Sequence, residues 1–222
     1  MLKEIIRQIL RVILLENLFF QVLFLSVIKK NLKSCNTILE LGAGMRSYIR
    51  QISGEKTITA FNIHEPTLKS ASEKGVYKDY IQGDVRKINT FFNPGSYDAV
   101  VAFDLIEHLE KKEGIHLIEN MVLIARRKVI IYTPNGFLYQ APTNDNLHQE
   151  HLSGWSYEEM KNLGFIVHGV NGNKKLTGEY GIPKIKPQVI GNFIRNINWL
   201  MLKVFKREQK SYSILCIKDV TG

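Results

Sequence analysis

Apolar and polar positions divide the chain into four blocks. Met1–Lys33 carries long apolar faces without Gly or Pro, and from Val12 onward it is apolar nearly all round. That predicts a helix that is buried or membrane-facing. Between Asn36 and Thr133, short apolar runs alternate with amphipathic ones. Thr37–Leu41, Thr57–Phe61, Tyr80–Ile81, Tyr97–Phe103 and Lys128–Thr133 read as strands. Pro66–Lys74 and Lys111–Arg126 read as helices, with Pro66 suited to a first turn. Strands alternating with helices predict a parallel, doubly wound α/β sheet. Pro134–Gly154 has no period, and a loop of that length is usually functional. Ser156 and Glu159 stand at capping-box spacing ahead of a helix that Gly164 ends, and Phe165–Val170 follows as a strand. After the Gly- and Asn-rich stretch 171–183, Lys184–Arg207 is apolar and basic together, and Tyr212–Lys218 is a last strand.

Composition narrows the class. The 222 residues are 45% hydrophobic, 10% aromatic and 23% charged, with only 16 Gly and 6 Pro. One core and one domain are expected, and disordered, collagen-like and low-complexity chains are excluded. Two cysteines, Cys35 and Cys216, make neither a disulfide framework nor a four-ligand zinc site. A reducing, cytoplasmic setting is the simplest expectation.

The net charge of +9 is unevenly spread. Met1–Lys33 holds six basic and two acidic residues, Lys184–Lys210 seven and one, and the middle is near neutral. This argues against a nucleic-acid groove through the domain. It suits basic ends that meet an anionic surface, such as the inner face of a membrane. Ile185–Phe205 sets Phe193, Ile194, Ile197, Trp199, Leu200, Leu202 and Phe205 among Lys and Arg, the pattern of an interfacial helix. Pairing with a second copy in a homodimer is the rival expectation. The run Val12–Ile28 is broken by Glu16, Asn17, Gln21 and Ser26, whereas a spanning helix needs about 20 mostly apolar residues. No small-residue cleavage site follows it.

The central chemical signal is Ile38–Gly44, a strand running into Gly42-Ala43-Gly44 and then, as expected, a helix. Glycine there lets the backbone approach a ligand closely. The dinucleotide pattern G-x-G-x-x-G is incomplete, because Arg46 and Ser47 stand where its end would fall, with no third glycine, which disfavours a nicotinamide oxidoreductase. Glu40 sets a carboxylate where a phosphate is repelled and an ammonium welcomed.

On these residues the chain resembles the class I S-adenosylmethionine-dependent methyltransferases, in particular a small prokaryotic branch of unassigned substrate. Glu40–Gly44 matches the family's acidic-x-Gly-x-Gly motif, Phe61–Pro66 the end of its second strand, Gln82–Val85 its adenine segment and Tyr97–Leu109 its fourth-strand motif. Thr133–Gly136, His151–Trp155 and Leu163–Phe165 match the branch. The resemblance implies a Rossmann-like seven-stranded, mostly parallel sheet of order 3-2-1-4-5-7-6 with helices on both faces. To this are added an N-terminal helical extension over 1–33 and, within a catalytic domain over 34–222, a basic, apolar helical insertion over 184–210.

The resemblance further implies S-adenosylmethionine as cofactor. Glu40, Gly42, Ala43 and Gly44 would surround its methionine moiety, Asn62 and Ile63 its ribose, Asp84 and Val85 its adenine, and Phe103 and Asp104 the floor. Asn62 stands where the family usually has Asp or Glu and lacks that charge. This leaves a binding-only or interaction protein as the alternative to an enzyme. His108 is a candidate general base on an acceptor hydroxyl, since an imidazole titrates near neutrality. His151 is a candidate for the substrate pocket, and Trp155 and Tyr157 suit core or pocket wall equally. His148 and His151, three apart in a loop without clustered acids, are not expected to bind metal. The expected acceptor is small or lipid-linked, methylated at oxygen.

Overall fold

The computed structural model describes residues 21–44, 47–52, 54–75, 77–142, 146–178 and 181–220. The expected helix over 1–33 therefore lies partly outside the described residues; positions 21–31 are helical and are termed α1. Five parallel strands form one side of the sheet: β1 (Thr37–Leu41), β2 (Thr57–Asn62), β3 (Asp79–Gln82), β4 (Tyr97–Phe103) and β5 (Ala125–Pro134). β6 (Ile166–Asn173) and β7 (Ser211–Asp219) complete the order β3-β2-β1-β4-β5-β7-β6, with β7 antiparallel to both neighbours. The central strands are apolar throughout because both faces are covered. Ile38, Leu39 and Leu41 are fully buried.

Two cores result. One face packs on α3 (Lys111–Ile124) and α4 (Tyr157–Asn162) through Leu117, Met121, Ile124 and Met160. The other packs on α1, α2 (Glu65–Ser72) and α5 (Gln188–Val204) through Phe24, Ile28, Leu68, Ala71 and Trp199. The Ser156–Glu159 capping box forms in both directions, and Gly164 ends the turn after α4 at φ +83°.

Two expectations are corrected. No α-helix follows the glycine turn among the described residues; a single 3-10 turn at Ile49–Gln51 stands there. The segment between Gly44 and Thr57 is short and carries Gly54 at φ +51°, which breaks a helical run. α1 covers this face instead, with the Phe24 ring 5.0 Å from Tyr48. Trp199, expected at a membrane interface, is buried, and its indole N–H donates to the Gly169 carbonyl at 2.6 Å. A helix packed on β6 turns that side chain inward.

Candidate active site

The carboxyl ends of β1, β2, β4 and β5 open onto one cleft, the usual ligand edge of such a sheet. Glu40 lies at its floor, 2% exposed. Ser47 Oγ donates to Oε1 at 2.5 Å and Tyr77 Oη to Oε2 at 2.8 Å. Burial pushes its carboxyl up to about 7 against these two hydroxyls, which favour the anion. Among the described residues no Lys or Arg pairs with it.

Gly42 turns the chain at φ +69°, and a Cβ there would stand 3.0 Å from the Leu105 side chain. The N–H groups of Gly42 and Ala43 both donate to the Phe61 carbonyl, at 2.9 and 3.2 Å. Asn62 fixes the same turn from the end of β2. Its Nδ2 donates to the Ala43 carbonyl at 2.8 Å, and its Oδ1 accepts from the His64 N–H at 2.9 Å. An aspartate cannot make the first bond, and would set an oxygen against a carbonyl. Asn62→Asp is therefore expected to lower stability by about 1–3 kcal/mol in chemical denaturation. An unchanged midpoint would dismiss this bracing role.

Beside this turn lies a cavity of about 190 Å³, lined by Gly42, Asn62, Ile63, Asp84, Val85 and Leu105 among others. Asp84 caps the following turn by accepting from the Arg86 N–H at 2.9 Å. The Arg86 guanidinium grips both its oxygens, the shortest contact being 2.6 Å, and holds the carboxyl below its ordinary range. These three N–H donors take up most of the roughly four acceptor positions of Asp84. Arg86, half exposed, is a partner of Asp84 that no motif marks.

A larger cleft of about 1300 Å³ adjoins it, lined by Phe103, Asp104, Glu107, His108, Tyr132 and His151 among others. Asp104 follows β4 at φ +48°, an uncommon backbone for a non-glycine residue, held by its N–H bond to the Tyr132 carbonyl at 2.8 Å. Asp104 reaches solvent along the cleft, whereas Glu107 is 2% exposed. Burial and the Asp104 charge together raise the Glu107 carboxyl well above its usual range, and Thr133 Oγ1 donates to it at 2.9 Å.

The loop and the β4 turn are stitched together. The N–H groups of Leu152 and Ser153 donate to the Glu107 carbonyl at 2.8 and 3.0 Å, and the Trp155 indole donates to the Ile106 carbonyl at 3.2 Å. That stitching brings the His151 ring to 4.8 Å from the His108 ring. His108 Nδ1 meets the Glu150 carbonyl at 2.9 Å and His151 Nδ1 the Leu138 carbonyl at 2.7 Å. A carbonyl only accepts, so each Nδ1 carries the proton and each Nε2 keeps its lone pair. Burial lowers both imidazoles below the ordinary histidine value, so both are neutral near pH 7. One ligand atom each from Glu107, His108 and His151 lie within 4.8 Å of one another. His148 is not part of this group.

Residues 39–129 match the family model described as a methyltransferase domain. This stretch is a methyltransferase domain, and with the fold it makes the chain an S-adenosylmethionine-dependent methyltransferase. No curated protein matches this methyltransferase in sequence. Among solved structures it is similar to the methyltransferase domain of bacterial CtHen1-C, at 16% identity and TM-score 0.54 over 89% of this chain and 97% of that one. It is also similar to a SAM-dependent methyltransferase from Archaeoglobus fulgidus, at 15% identity and TM-score 0.50 over 88% and 94%. The CurJ carbon methyltransferase aligns at 14% identity and TM-score 0.56, over 91% of this chain and 54% of that one. At these identities the likeness is one of fold. S-adenosylmethionine is its cofactor, and the residues present fit it. A buried carboxylate without a cationic partner, beside a glycine turn that a Cβ would crowd, suits the ammonium end of such a molecule.

Proposed function

We propose that this methyltransferase alkylates a hydroxyl oxygen of a small or lipid-linked acceptor. The observation that carries the reading is the pair of imidazoles in the cleft, each held by an Nδ1–H bond to a carbonyl so that Nε2 can take a proton. When bound, S-adenosylmethionine supplies an electrophilic methyl group on a sulfonium. Glu40 would receive its ammonium, Asp84 and Val85 its adenine, and Asn62 and Ile63 its ribose, with Gly42, Ala43 and Gly44 letting the backbone close on it. Phe103 and Asp104 would line the reacting end. His108 removes the acceptor proton while His151 orients the acceptor, and in-line geometry supplies most of the acceleration.

The acceptor side of the cleft supports an amphiphilic, anionic compound. Lys174, Lys175, Lys184 and Arg195 line it together with Leu138 and Tyr139. The whole cleft, with Glu40, Gly42 and Asn62 included, measures about 1300 Å³, room for a cofactor and an acceptor together. The test is transfer of labelled methyl from S-adenosylmethionine to a panel of hydroxyl, amine and carbon acceptors. Product label on nitrogen or carbon alone would overturn the oxygen assignment.

Access to a lipid-linked acceptor fits peripheral contact with the inner face of a membrane. No helix among the described residues is long and apolar enough to cross one. α5 nonetheless leaves Ile190, Ile197, Leu200, Met201 and Val204 exposed beside Lys203, and Phe205, Lys206 and Arg207 continue the row. Apolar side chains flanked by cations suit an anionic lipid surface. Co-sedimentation with anionic but not neutral vesicles is the expected result, weakened several-fold in Leu200→Glu/Val204→Glu. A dimer in solution with no vesicle binding would assign the face to a second copy.

A further inference from the structure

We infer that Glu107, His108 and His151 form a binding site for one first-row divalent transition-metal ion at the acceptor end of the cleft. The inference rests on the hydroxyl-methylation reading for its chemical purpose, but the binding itself does not depend on it. The three side chains come from two distant segments, the turn after β4 and the loop after β5, and converge only through the fold. Their ligand atoms lie within 4.8 Å of one another. Ligands around one ion sit at about 2.0–2.1 Å from it, so these atoms close by roughly an ångström on binding. The rings of His108 and His151 are only partly buried and line an open cleft, so small rotations suffice.

What distinguishes this group from a chance cluster is its surroundings. Metal-bound imidazoles characteristically donate their other ring N–H to a carbonyl or carboxylate, which fixes ring and tautomer. Both histidines do so here, to the Glu150 and Leu138 carbonyls. The Glu107 side chain is oriented as well, since Thr133 Oγ1 donates to its Oε2, and a divalent ion takes the place of the proton on this carboxyl. Asp104 lines the same cleft. Two imidazoles and one carboxylate suit Zn²⁺, Mn²⁺ or Fe²⁺, whereas Mg²⁺ and Ca²⁺ take oxygen ligands. Three protein ligands leave positions open for a substrate oxygen, the arrangement of a catalytic rather than a structural site.

The ion acts as a Lewis acid on the acceptor. With it bound, both Nε2 lone pairs are engaged, and the activation otherwise made by a free imidazole passes to the ion. A coordinated hydroxyl becomes more acidic and its proton leaves to water. The oxygen forms a bond to the methyl carbon, the carbon–sulfur bond breaks, and its electron pair stays on sulfur. No oxidant or reductant enters.

The test is equilibrium dialysis of the chelator-treated, full-length protein against Zn²⁺ and, separately, Mn²⁺, with bound metal counted by mass spectrometry. One equivalent is expected at micromolar free Zn²⁺. His108→Ala and His151→Ala are expected to weaken binding at least tenfold, and His148→Ala to leave it unchanged. S-adenosylmethionine affinity measured on the same variants shows that the site, and not the fold, has been lost. Less than 0.2 equivalents at 100 μM metal overturns the inference, as does binding that survives loss of His108 and His151 or falls equally in His148→Ala. The dialysis needs no acceptor, so its failure leaves hydroxyl methylation standing, and methylation elsewhere leaves the metal result standing.

Discussion

Glu40→Gln is expected to weaken S-adenosylmethionine binding by about 10- to 100-fold while leaving the protein as stable as the parent, or more stable at pH 8. The affinity loss is that of one hydrogen bond to a charged group, about 1.5–3 kcal/mol. The stability argument follows from burial. The Glu40 carboxyl stands at about 7 in the folded chain against an ordinary 4.5. Between those values the unfolded chain ionises and the folded one does not, so stability is full below about pH 4.5 and falls as pH rises to about 7. The difference corresponds to roughly 3 kcal/mol. Glutamine is spared this, and the Ser47 and Tyr77 hydroxyls can accept as well as donate. An ammonium placed at Glu40 favours the anion, so cofactor affinity in the parent is expected to rise by up to tenfold per unit between pH 6 and 7 and then level off. The Gln variant loses that dependence. Calorimetric titration at pH 6, 7 and 8 checks both statements. A variant that binds as tightly as the parent at pH 8 would remove Glu40 from the cofactor site.

Trp155→Ala is expected to cost about 3–5 kcal/mol in denaturation, the range for a buried aromatic side chain reduced to a methyl. Trp155 is fully buried. Its ring lies against Gly114 of α3, where a Cβ would come within 2.4 Å, and the Lys111 ammonium sits over it at 3.5 Å. Its indole N–H donates to the Ile106 carbonyl, so the variant also loosens the seam that brings His151 to His108. A loss under about 1 kcal/mol would show that the loop is held by its backbone bonds alone.

Much of the fold is legible along the chain because the central strands β1, β2, β4 and β5 are buried along most of their length and written as largely apolar runs. Thr37–Leu41 and Tyr97–Phe103 are read with their observed bounds. Ser156 and Glu159 announce the start of α4 for a similar reason, since a cap is a local bond between near neighbours. The errors fall where tertiary contacts decide. Among the described residues no α-helix follows Gly44, and α1 packs on that face instead. Trp199 faces inward because β6 offers a carbonyl to its indole.

The site divides in the same way. Glu40, Gly42 and Gly44 are contiguous and visible as a motif. Tyr77 and Arg86 carry no such mark, and only the fold sets them on Glu40 and Asp84. The grouping of Glu107 and His108 with His151 is likewise invisible to spacing, since more than forty positions separate its two parts. A search for metal ligands around His148 and His151 looks at the wrong neighbours.

The pair of hydrogen bonds from the Leu152 and Ser153 N–H groups to the Glu107 carbonyl has a consequence for how this enzyme can diversify. It anchors the far end of the acceptor loop to the sheet, while Asn135 anchors the near end through its side-chain bonds to the Gln209 and Ser211 carbonyls. Among its described residues, the stretch between these two anchors contributes to neither core, while the Leu138 and Gln140 carbonyls hold His151 in place. A library of side-chain changes at positions 137–142 and 146–147, with the chain length and so the Leu138 and Gln140 carbonyls kept, is therefore where new acceptor preferences should arise at little cost in foldability.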